Sequence, residues 1–84
     1  MVIDDVYISP HVNSKINGTH DLDRTQVEEA LANSWGHKMS PDRQGVMRML
    51  CLGETASGQR VKMSLYPTAV PGQWNLGTAF PVSG

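Results

Sequence analysis

The sequence predicts an α+β domain in which short helices pack on one face of a small antiparallel sheet, and three observations lead there. First, Leu22-Asp23-Arg24-Thr25-Gln26-Val27 carries every signal of a helix start. Second, residues 60–66 place Val61, Met63 and Leu65 on one side and Arg60, Lys62, Ser64 and Tyr66 on the other, the period of two of a half-buried strand. Third, turn-rich clusters separate residues 46–52, 60–66 and 74–80, so the three apolar stretches read as a C-terminal three-strand meander.

Residues 2–8 alternate imperfectly and suit an extra N-terminal strand or an extended arm. Ser9-Pro10 then resembles an N-cap and first helical position, because proline lacks only an N–H that would be unpaired there. A short helix is expected over residues 11–17, closed by Gly18. In the next helix Asp23 caps, Gln26 completes a capping box and Leu22 staples onto Val27, while Val27, Ala30 and Leu31 form the apolar stripe as far as about residue 33. Residues 35–45 hold Gly36, Pro41, Asp42 and Gly45 and read as a turn-rich connection. Thr55-Ala56-Ser57-Gly58 supplies one hairpin turn and residues 67–73 a looser one, after which Trp74, Leu76, Thr78 and Phe80 are expected to share a face.

Residues 1–84 fit a single domain, and a chain of this length has a small core. With 39% apolar and 18% charged residues it is globular in composition, and no apolar run approaches the length of a spanning helix. The opening MVIDDVYISP has two acids and no basic n-region, which argues against a secretory signal, and the single Cys51 has no internal disulfide partner. A reducing cytoplasm is therefore expected. The formal charge of -1 gives no global field to draw in nucleic acid, so any RNA contact needs a local basic patch. His11, His20, His37 and Cys51 lack the paired spacings of a zinc site, and neither a metal nor a cofactor is expected.

Several short motifs recur in a definite order: His11-x3-Lys15-Ile16, then His20, then Val27-Glu28-Glu29-Ala30, then Leu52-Gly53-x-Thr55-x2-Gly58-x-Arg60, and finally Thr78-Ala79-Phe80-Pro81. Across residues 8–81 this order resembles the small toxins of the RelE superfamily, in particular the BrnT-like group. The resemblance implies helices on one face of an antiparallel sheet, metal-independent endoribonuclease activity, and pairing with an antitoxin protein. Position by position it points at His11, Lys15 and His20 near the helices and at Arg48 and Arg60 on the sheet.

RNA cleavage through the 2′-hydroxyl needs a base, an acid for the leaving 5′-oxygen and cations where charge grows on the phosphorane. His20, Lys15, Arg48 and Arg60 are the candidate catalytic residues, with His11, Lys62 and Tyr66 as candidate substrate contacts. Arg48 and Arg60 are expected to converge on one phosphate from neighbouring strands, and Tyr66 to stack a base. Each feature also has a plain reading: a solvated strand face, a histidine beside a helix end, an interface tyrosine. Met47 and Met49 fit either core filler or a contact surface. A second function therefore stays open, a non-catalytic protein-binding or regulatory module on the same scaffold. The partners considered are RNA or the ribosome, an antitoxin protein and a second copy of the chain.

Overall fold

The computed structural model describes residues 5–20 and 22–82, with the backbone alone for Thr19 and His20. The order is β1 (Asp5–Tyr7), α1 (Pro10–His20), α2 (Arg24–Ala32), β2 (Ser34–Pro41), β3 (Met47–Glu54), β4 (Arg60–Pro67) and β5 (Gln73–Pro81). The strands form one sheet in the order β1-β5-β4-β3-β2. The three expected C-terminal strands are there and antiparallel, and the expected N-terminal strand lies parallel to β5 with Val6 beside Trp74. Residues 2–4 of that expected strand fall outside the described residues.

Local signals act where the sequence puts them. The Ser9 hydroxyl accepts from the Val12 amide at 3.2 Å, capping α1. The helix runs through Gly18 rather than closing on it, and just beyond its end the Leu22 amide donates to the Ile16 carbonyl at 3.1 Å. At α2 the Asp23 carboxylate accepts from the Gln26 amide at 2.7 Å while the Gln26 side chain accepts from the Asp23 amide at 3.0 Å. Leu22 and Val27 are both buried, as a hydrophobic staple requires.

Residues 35–45 correct the sequence reading, because most of that stretch is an edge strand. β2 pairs antiparallel with β3 from Ser34 opposite Gly53 to Pro41 opposite Met47, with a bulge between Trp35 and Lys38. Gly36, at φ +68, absorbs the bulge, and this break in the period of two hides the strand from a pattern search. A second bulge moves β5. Leu65 faces Leu76 but Ser64 faces Thr78, so Gly77 is the extra residue, and Thr78 and Phe80 lie on the face opposite Trp74 and Leu76. Ala79 takes the core position instead and is buried.

Both helices lie on one side of the sheet, α1 against β5 and α2 against β3 and β4. Between them and the sheet sits the core, with Ile16, Val27, Met49, Val61, Met63 and Leu65 fully buried. Leu31, expected inside, is only partly buried and packs on the rim. Gly53 marks the tightest approach, since a Cβ there would collide with the Ala30 carbonyl of α2. No helix among the described residues is long and apolar enough to cross a membrane.

Candidate functional site

The face of the sheet turned away from the helices carries most of the residues the sequence singles out. Register arranges them in rows across the strands. Trp35, Leu52, Lys62 and Phe80 form one row, and Lys38, Leu50, Ser64 and Thr78 the next. Ser40 pairs with Arg48, the register of β3 and β4 brings Arg48 alongside Tyr66, and Tyr66 pairs with Asn75. A net acidic chain thus gathers Lys38, Arg48, Arg60 and Lys62 on one open surface.

The expected convergence of Arg48 and Arg60 does not occur. Arg60 pairs with Glu54 at one end of β3, and Arg48 stands six residues back along that strand. At about 3.3 Å per residue the two Cα atoms are roughly 20 Å apart, beyond a shared phosphate. A second separation is as decisive. His11 and Lys15 are exposed on α1, which covers the opposite side of the sheet, so neither shares a surface with Arg48, Arg60, Lys62 or Tyr66. His20 is the last residue of α1, and its side chain lies outside the described residues. His37, on the bulge of β2, has its Nε2 2.9 Å from the Ser34 hydroxyl.

What the fold does assemble is a cluster of Arg48, Tyr66 and Asp42. The Tyr66 ring lies over Gly77, where a Cβ would collide with it, so the bulge glycine makes room for the ring to lie flat. From there its hydroxyl donates to Asp42 Oδ2 at 2.9 Å. Asp42 also shapes the β2–β3 hairpin, its Oδ1 accepting from the Gln44 amide at 2.8 Å and the Val46 amide at 2.9 Å. These amides, Val46 first, hold the Asp42 carboxyl below its ordinary value against the opposing effect of burial, and Tyr66 and Arg48 add to them. The bond to Asp42 raises the Tyr66 phenol, with burial and the Asp42 charge acting the same way and Arg48 opposing. At neutral pH the pair is a protonated phenol on an ionised carboxylate.

Arg48 is half-buried, and its Nε is buried with no hydrogen-bond partner among the described residues. It lines a shallow depression with Asp42, Arg43 and Gln44. Arg48 and Arg43 bring two guanidinium groups to this depression, and such donors match the oxygens of an anion such as phosphate. Asp42 and Arg43 escaped the sequence reading because Pro41-Asp42-Arg43-Gln44-Gly45 reads as a turn, and a turn gives no hint that it folds beside Tyr66. Among the described residues no three His, Cys, Asp or Glu side chains come together as a metal site. Cys51 is buried on the core face of β3, where burial pushes its thiol up to about 11. Comparison of the chain with protein-family models, curated proteins and solved structures finds no match.

Proposed function

We propose that this chain is an RNA-directed protein of the toxin-antitoxin kind, a metal-independent endoribonuclease acting in the cytoplasm, with its phosphate site at Arg43 and Arg48. The observation that carries the reading is the open depression lined by Arg43 and Arg48 beside the Tyr66–Asp42 hydrogen bond. The order of motifs that resembles RelE-superfamily toxins points to the same class of substrate.

The cluster contains the parts that transesterification needs. A scissile phosphate held by Arg48 would gain charge as the 2′-oxygen attacks, and the guanidinium stabilises that charge. The 2′-hydroxyl proton passes to Asp42 Oδ2 as the Tyr66 O–H turns from Asp42 to protonate the leaving 5′-oxygen. The products are a 2′,3′-cyclic phosphate and a 5′-hydroxyl. Asp42 then returns its proton to the Tyr66 phenolate across their 2.9 Å contact, which restores both groups. An Asp42 carboxyl held below its ordinary value is a weak base, so turnover is expected to be slow.

Purified protein incubated with cellular RNA in EDTA tests the proposal. Cleavage should persist in the chelator, fall by roughly 10²–10⁴ in Tyr66→Phe and fall similarly in Arg48→Ala, with both variants folded. Absence of cleavage by the unmodified chain, with ribosomes present or not, would remove the catalytic reading and leave a binding module on the same scaffold.

A further inference from the structure

Away from the Arg48 cluster, the open face holds an apolar groove that phosphate chemistry does not explain. Leu50 and Leu52 form its floor, both half-buried on β3, and Lys38 and Lys62 stand at its sides from β2 and β4. Gly36 keeps one end open, because nothing lies within 4 Å of the place a Cβ would occupy. The groove measures about 240 Å³, and Trp35 at its margin is 41% exposed. Neither lysine has a carboxylate partner among the described residues, where the ion pair is Arg24 with Glu28 on α2.

Aliphatic floor and cationic sides select an occupant. A nucleic-acid base binds a protein surface by stacking on aromatic rings; Trp35 stands only at the margin and Phe80 beyond Lys62 in the same row, while the groove itself is floored by leucines. Apolar surface of this kind gains from covering aliphatic side chains, while two unpaired ammonium groups at its sides favour carboxylates and disfavour other cations. We propose that the groove docks a segment of another protein in which aliphatic residues are flanked by Asp or Glu. The Leu side chains hold the segment and Lys38 and Lys62 set its charge preference. This surface shares no residue with the Arg43–Arg48 depression and does not depend on RNA cleavage.

Fluorescence anisotropy with labelled synthetic peptides tests it, using one peptide of alternating Leu and Glu and a second of alternating Leu and Lys. The acidic peptide should bind and the basic one should not. The double variant Lys38→Glu, Lys62→Glu should weaken the acidic peptide by about tenfold or more and reverse the preference. Leu52→Asp, with its fold checked by circular dichroism, should abolish binding. Unchanged affinity in the charge-reversed variant would overturn the proposal. So would displacement of the peptide by single-stranded oligouridylate, which would make the groove a nucleic-acid surface. Sedimentation showing a dimer that Leu52→Asp dissolves would overturn it too, by giving the groove to a second copy of the chain.

Discussion

Gly53→Ala probes the contact that fixes the helical layer on the sheet. A Cβ at Gly53 would collide with the Ala30 carbonyl oxygen and stand 2.9 Å from the Ala30 Cβ. Neither atom is the free end of a flexible side chain, so α2 itself must move. Forcing one carbon into a packed core costs typically about 1–3 kcal/mol, and a rigid neighbour puts this case near the top of that range. Alanine also restricts the unfolded chain, which offsets about 0.4–1 kcal/mol of the loss. The net destabilisation is about 2 kcal/mol. For a domain of this size each kcal/mol moves Tm by about 4–8 °C, so Tm should fall by about 8–16 °C. Urea unfolding followed by tryptophan fluorescence should show a lower midpoint at an unchanged slope. A midpoint equal to or above that of the unmodified chain would show that α2 does not press on β3 at Gly53, and the account of the core would fail with it. Gly45→Ala makes a useful contrast: its φ of +83 strains alanine by about 1–2 kcal/mol although the space around it is open.

Asp23→Ala should cost about 1 kcal/mol through the lost capping box, and an unchanged urea midpoint would count against that cap. Cys51, its thiol pushed up to about 11, should resist iodoacetamide at pH 8 in the native protein and react only as fast as the domain opens; rapid labelling under native conditions would contradict its burial. The Asp42 carboxyl is lower folded than unfolded, so its contribution is complete above an unfolded value of about 3.9 and is lost as pH falls through the folded value. Asp42→Asn should therefore flatten the acid limb of stability against pH, and an unaltered limb would refute the linkage. For Tyr66 the phenol is higher folded than unfolded, so its contribution is present below about 10 and disappears as pH rises through the folded value. The difference in ultraviolet titration between the unmodified chain and Tyr66→Phe should have its midpoint above about 10, and a midpoint below that would break the Tyr66–Asp42 assignment.

The sequence by itself determined what depends on near neighbours. Asp23, Gln26, Leu22 and Val27 start α2 because a capping box and a staple join residues a few positions apart. The alternation of Val61, Met63 and Leu65 committed β4 to the core face, and the turn at residues 55–58 closed its hairpin, the Gly58 amide donating to the Thr55 carbonyl at 3.0 Å. From these pieces follow the α+β class and the three antiparallel C-terminal strands. Tertiary structure decided what depends on register and on which side of the sheet a residue reaches. Two bulges, at Gly36 and Gly77, each broke a period of two that sequence reading relies on, and they concealed β2 and moved Phe80 to the open face. Register along β3 set Arg48 and Arg60 roughly 20 Å apart, though both lie on basic-looking strands of the same hairpin. Layering put His11 and Lys15 on the far side of the sheet from both arginines. The Arg48–Tyr66–Asp42 cluster joins a hairpin turn to a strand 24 residues later, and such a contact is specified by the packing of the whole domain, because no local energy term links its members.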